Sequence, residues 1–197
     1  MDSIDYYNRY AVPYYESTID LDMSEIMQPF LDELPENAEV LDLGCGSGRD
    51  SLTLEEQGCL VTALDGSEEM CKLAEIYIDK PVLCMTYDEM DFDQVFDGIW
   101  ACASLVHLAP EEMKRILEKL RQALKNDGVL YFSVHQGDRR GTYNGRYFCD
   151  YTRQELRDLL EEVGGYRIID IWKTSDVRSG RDDRIWLNVL VRKLPEE

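Results

Sequence analysis

The stretch that decides the fold is Val40-Leu41-Asp42-Leu43-Gly44-Cys45-Gly46-Ser47-Gly48, read together with Asp65. Val40 to Leu43 is a short apolar run of strand character that leads directly into three glycines within five residues. A helical spacing through Leu52 and Leu54 follows and closes near Gly58. Cys59 to Leu64 then reads as a second strand, which delivers Asp65 at its end. Strand, glycine turn, helix, strand and acid form a nucleotide-binding arrangement. Glycine lets the backbone turn tightly and approach a ligand closely. A carboxylate about 20 residues beyond the first glycine is placed to accept both ribose hydroxyls.

Spacing separates the subclasses of this arrangement. A dinucleotide site needs G-x-G-x-x-G, with pyrophosphate on the helix N-terminus. Here the third glycine, Gly48, comes one residue early, and Arg49 occupies the sixth position. Asp42, two residues before the first glycine, puts an acid beneath the loop, which suits a cation better than a pyrophosphate. S-adenosylmethionine (SAM) offers an ammonium, a sulfonium and a ribose diol, and carries no phosphate.

Outward from this block, strands and helices alternate. Ser24 or Asp22 is placed to cap a helix bearing Ile26, Met27, Phe30, Leu31 and Leu34, ended by Pro35. Ser67 caps the helix of Met70, Leu73, Ala74 and Ile78, with Glu68 and Glu69 complementing its dipole. Short strands are predicted at 82–85 and 96–101. Pro110 opens a helix with Met113, Ile116, Leu117, Leu120 and Leu124 on one face, and a strand follows at 129–134. Thr152 and Glu155 make a capping box, Gly164-Gly165 a stop, and two final strands at 166–172 and 185–191 have no helix between them.

The expected fold is therefore α/β: one doubly wound domain with a mostly parallel seven-stranded sheet and an antiparallel C-terminal edge pair. A tyrosine-rich N-terminal segment (Tyr6, Tyr7, Tyr10, Tyr14, Tyr15) is expected to form a helical lid. Within the single domain of residues 1–197, 1–35 would be lid and first helix. Residues 36–134 would be the binding core, and 135–197 the second half of the sheet and the substrate side.

Composition narrows the partners. The 197 residues hold 40 Asp+Glu against 21 Lys+Arg, a net charge of −19. Phosphate backbones and anionic membranes are repelled by such a surface, so neither nucleic acid nor membrane is an expected partner. The basic stretches, Arg139-Arg140 to Arg146 and Arg178 to Arg184, are short; exposed surface charge is their default reading, with guidance of an anionic substrate the other. Six scattered cysteines without CxxC spacing, and no apolar run near 18 residues, read as reduced thiols of a cytoplasmic protein without a metal site.

With these blocks in place, the chain resembles class I SAM-dependent methyltransferases. The resemblance rests on the glycine block, on Val61-Thr62-Ala63-Leu64-Asp65-Gly66-Ser67 with Met70, on Phe96-Asp97-Gly98-Ile99-Trp100-Ala101, and on Leu124 to Leu130. The order of the four blocks is specific, whereas the glycine loop alone is weak. Gly48-Arg49-Asp50-Ser51 and Trp186 to Leu190 are further similar to a small-molecule branch of tellurite-resistance type.

The resemblance implies roles. Gly44, Cys45 and Gly46 would line the methionine half of SAM, and Asp42 would hold its ammonium. Asp65 would bind the ribose; Gly66, Ser67 and Met70 would flank the adenine. Thr86 stands where the family often has an acid, a departure, with Tyr87 offering a backbone amide and Asp88 or Glu89 the missing acid. Ala101, Cys102 and Ala103 would pass the methyl donor, Tyr14 and Thr18 would act as lid residues, and Arg49 would meet either the SAM carboxylate or Asp50. His107, His135 and Tyr14 are the candidates for a catalytic base.

The function this implies is methyl transfer from SAM to a small-molecule acceptor by in-line displacement, with S-adenosylhomocysteine (SAH) as product. The alternatives are a non-catalytic SAM or adenosine-nucleotide binding module and an NAD(P)-dependent oxidoreductase. The acceptor and the oligomeric state are not legible.

Overall fold

The computed structural model describes residues 3–181 and 184–195. Its chain order is α1 (Ser3–Thr18), α2 (Ser24–Leu31), β1 (Glu39–Leu43), α3 (Arg49–Glu56), β2 (Leu60–Asp65), α4 (Glu68–Ile78), β3 (Leu83–Cys84) and β4 (Phe96–Ala101). A 3-10 turn (Leu105–His107) leads to α5 (Pro110–Ala123), β5 (Leu124–His135), β6 (Arg140–Tyr143), β7 (Arg146–Cys149), α6 (Arg153–Val163), β8 (Tyr166–Ser175) and β9 (Ile185–Lys193).

Seven strands form one sheet in the order β3-β2-β1-β4-β5-β9-β8. The first five are parallel, and β9 runs antiparallel to both β5 and β8. This is the expected doubly wound fold. The final pair is threaded so that β9 lies inside and β8 forms the edge. The strand order reverses between β1 and β4, and their carboxyl ends open the crevice where ligands bind in such sheets.

Alternation along the strands divides the core. Leu41, Leu43, Ile99, Leu130 and Phe132 face the side covered by α5 and α6, where Leu117, Leu120, Leu156 and Leu160 pack. Val40, Trp100, Val129 and Tyr131 face the opposite side, against Met27 and Phe30 of α2 and Leu54 of α3. Trp100 stacks on Tyr131 with centroids 3.9 Å apart. Local signals place the helices as read: Ser67 Oγ accepts from the Met70 amide, and the Thr152–Glu155 capping box is formed.

One element was not expected. β6 and β7 form a separate antiparallel hairpin, with Tyr143 paired to Arg146 across Asn144-Gly145. Both turn residues have positive φ, 50° and 80°. Asn-Gly between two short runs is the strongest local hairpin signal, and it was present in the sequence. The hairpin lifts the Arg139 to Arg146 stretch over the carboxyl end of the sheet, so part of that basic stretch lines the site instead of lying on open surface.

Candidate cofactor and acceptor site

The glycine loop is held to its neighbouring strand by two bonds: the Gly44 and Cys45 amides both donate to Leu64 O, at 2.8 and 2.9 Å. Gly44 has φ +73°, and a Cβ there would lie 2.5 Å from Ser104 Cβ. Gly48, φ +81°, would meet Ile78 Cγ2 at 2.8 Å. Only glycine fits at either position, because both the dihedral and the space are denied to a side chain.

The loop divides a two-lobed groove. The larger lobe, about 610 Å³, is walled by Asp65, Gly66, Ser67, Met70, Thr86 and Tyr87. The smaller, about 130 Å³, reaches from Cys45, Arg49 and Asp50 to His135, Arg146 and Trp186. Both are bordered by Gly44, Gly46, Cys102, Ala103, Tyr7, Tyr14 and His107, so the lobes meet where the loop faces the end of β4.

Asp65 stands in the larger lobe at the end of β2. Its Oδ2 accepts from the Gly46 amide at 2.9 Å and its Oδ1 from the Ser67 amide at 2.8 Å. Burial raises its pKa, against the lowering effect of the Ser67, Gly46 and Gly66 amides. Each oxygen keeps a further lone pair, so a carboxylate facing this lobe has the acceptor capacity for a ribose diol. That chemistry and the glycine cradle fit SAM.

Helix α1 closes the groove. Asn8 Oδ1 accepts from Ser67 Oγ at 2.7 Å and from the Glu69 amide at 3.3 Å, tying α1 to the start of α4. Ile4 lies over Gly66, and the Tyr14 ring over Gly46. Thr18 is buried, but its hydroxyl donates back to Tyr14 O at 2.9 Å, so it braces the helix and offers no free hydroxyl. Asn8 and Ile4 went unnoticed in the sequence because nothing about their spacing marks a contact 59 residues away.

Several expectations need correction. Asp42 does not line either lobe; it is buried, and its Oδ2 accepts from Ser51 Oγ at 2.6 Å. Burial and nearby Asp50 push its carboxyl up to about 8. Two acids border the smaller lobe, Asp50 and Asp176; Asp50, at the loop end, clasps Arg49 through two bonds of 2.7 and 3.0 Å and accepts from Trp100 Nε1 at 2.9 Å. Arg49 also donates to Thr18 O at 3.1 Å, linking lid and loop. Ala101 is fully buried in the core, so the wall begins at Cys102 and Ala103. Glu89 is committed to the amide and hydroxyl of Thr86, whereas Asp88 borders the larger lobe, paired with Arg115.

Neither histidine presents a free base. His107 Nδ1 lies 2.7 Å from Tyr147 O and must donate to it. Its Nε2 therefore accepts from Tyr7 Oη at 3.0 Å. Burial pushes His107 down to about 4. His135 Nδ1 accepts from Arg139 Nη2 at 3.1 Å, so its proton sits on Nε2. Burial first, then Arg139, Arg184 and Arg178, push it down to about 3. Tyr14 is raised by burial, and its ring covers the loop instead of offering a base.

Residues 40–128 match the Methyltransferase domain family. The strand order, the glycine loop and this match, which covers 89 of the 197 residues, are similar to those of class I SAM-dependent methyltransferases. The similar proteins are of the same kind. YqeM of Bacillus subtilis is 36% identical over 109 residues, 52% of this chain; the chain spans only 44% of YqeM. An uncharacterized methyltransferase of Staphylococcus carnosus is 26% identical over 189 residues, covering 83% of this chain and 91% of the relative. Among solved structures, the 1,6-didemethyltoxoflavin-N1-methyltransferase of Burkholderia thailandensis, bound to 1,6-didemethyltoxoflavin and SAH, superposes with a TM-score of 0.74 at 25% identity. That match covers 98% of this chain and 85% of the other. No helix among the described residues is long and apolar enough to cross a membrane.

Proposed function

We propose that this chain transfers the methyl group of SAM to a small-molecule acceptor by direct in-line displacement at the sulfonium. The observation that carries this reading is the two-lobed groove, whose lobes join at the glycine loop beside Cys102 and Ala103. The larger lobe supplies the ribose acceptor Asp65 and the adenine walls Gly66, Ser67 and Met70, with Thr86 and Tyr87 at its far side. Gly44, Cys45 and Gly46 line the methionine half. Asp50, which borders the smaller lobe beside Cys45 and Gly46, takes the part that the resemblance implied for Asp42.

SAM supplies a methyl group already activated by positive sulfur. The protein's task is then to position two reacting atoms about 3–3.5 Å apart and keep water out. Tyr7 and Tyr14 close over the junction from α1, and Arg49 ties that helix to the loop. Tyr7 is the side chain best placed to relay a proton. Its hydroxyl donates to His107 Nε2 and accepts from Arg146 Nη1 at 3.3 Å. The toxoflavin enzyme's bound small molecule supports an acceptor of that size class.

The experiment is a turnover screen with SAM against a metabolite library, scored by SAH formation and a CH2 mass increment on the acceptor. SAH binding without turnover across a broad library would favour the non-catalytic module.

A further inference from the structure

The smaller lobe carries positive charge that its neighbours do not neutralise. Five arginines line it: Arg49, Arg146, Arg178, Arg181 and Arg184, against the carboxylates Asp50 and Asp176. Both acids are committed. Asp50 clasps Arg49, and Asp176 clasps Arg178 at 2.8 and 2.5 Å. Among the described residues, Arg146, Arg181 and Arg184 pair with no carboxylate; Asp182 and Asp183 lie outside the described residues. In a chain of net charge −19 this is a local reversal of sign.

Among the described residues, two buried donors in the same lobe have no partner. His135 is only 6% exposed, and its Nε2, which carries the proton, bonds to nothing. Arg146 Nε is likewise unpartnered. Aromatic faces hold the Arg146 guanidinium, at 4.1 Å from the Tyr6 ring centroid and 5.1 Å from that of Phe148. It is thus positioned without being neutralised. Unmet buried donors are rare and call for an acceptor. The indole of Trp186, 4.0 Å from the His135 ring, adds a flat apolar wall.

We propose that the methyl acceptor is a small planar organic acid, its carboxylate held by Arg146, Arg184 and the Nε2–H of His135, and its ring against Trp186. This inference rests on the methyltransferase reading above. Guanidinium forks match a carboxylate with two parallel bonds. The carboxylate is the handle and is not the methylated group. A lone pair elsewhere on the ring forms the new bond to carbon as the carbon–sulfur bond breaks. The electron pair of that bond stays on sulfur, and the acceptor's displaced proton leaves to solvent.

The test uses the full chain saturated with SAH. Its thermal stability is measured with a panel of aromatic carboxylates and with the matched neutral carboxamides. Stabilisation is expected from members of the carboxylate set and from none of the carboxamides. Arg184→Gln and Arg146→Lys are each expected to weaken the best carboxylate at least tenfold while SAH affinity stays within about twofold. Equal responses to acid and amide, or no response to either set, would overturn the proposal. So would a parallel loss of SAH affinity in Arg184→Gln, which would assign these groups to the cofactor's own carboxylate. Failure of the wild-type chain to bind SAH at all would instead overturn the methyltransferase reading.

Discussion

Replacing Asp65 probes both the cofactor and the loop that holds it. Its two oxygens anchor the Gly46 and Ser67 amides, at 2.9 and 2.8 Å. A hydrogen bond to a charged group contributes about 1.5–3 kcal/mol. Asp65→Ala removes both, but the groove admits water to the freed amides, so the net loss of stability without ligand is about 1–2 kcal/mol. At about 2–4 °C per kcal/mol for a domain of this size, Tm falls by several degrees. Cofactor binding is expected to lose more, because the proposed ribose acceptor disappears and the loop loosens together. A loss of about 3 kcal/mol is roughly 10²-fold in Kd. Asp65→Asn keeps one acceptor oxygen and is expected to fall between. Calorimetric SAH titration and denaturant melts on the three proteins measure both effects. Wild-type affinity in Asp65→Ala would place the ribose elsewhere and refute the site.

The buried Asp42 titrates above its unfolded value of about 3.9, up to about 8, so the folded state holds a proton that the unfolded chain has released. Its contribution therefore falls as pH rises through that window, by up to about 1.4 kcal/mol per pH unit. Asp42→Asn, which retains an acceptor for Ser51, is expected to flatten that decline in denaturant melts from pH 5 to 8. His107 has the opposite sign: lowered to about 4, it contributes stability above about pH 6.5 that is lost on acidification, and His107→Gln should reduce the loss between pH 6.5 and 4. Tyr7→Phe leaves His107 Nε2 without its donor; we expect about 1–3 kcal/mol lower stability and slower turnover with SAH affinity little changed, read from melts and kcat. Deleting residues 1–20 removes Asn8, Tyr7 and Tyr14 from the groove and should leave a cooperatively unfolding domain with weaker SAH binding; non-cooperative unfolding would make the segment part of the core.

The sheet was legible because its signals are local. Apolar runs marked the strands, Ser67 and Thr152 marked helix starts, and the glycine spacing marked the turn at the switch point. Asp65 was legible for the same reason: a strand end fixes where a side chain points. Asp42 was misplaced because alternation puts the residue two before the turn inside the sheet layer, whereas Asp50, one helical step past the loop, faces the smaller lobe. The histidine roles were hidden because they depend on partners far along the chain. His107 meets Tyr147, 40 residues away, and Tyr7, 100 away. The arginine lining depends likewise on the β6–β7 hairpin and the segment before β9, whose meeting over one lobe no single-stretch pattern encodes.

The most direct measurement is a calorimetric titration of SAH into the ligand-free 197-residue chain, paired with a thermal shift. One SAH is expected to bind per chain. At about 100-fold above Kd the linkage gain is about 2.7 kcal/mol, enough to raise Tm by several degrees. NAD is expected to produce neither heat nor shift. A folded, ligand-free chain that gives no binding heat and no shift with SAH, or one that prefers NAD, would contradict the assignment of the groove to SAM.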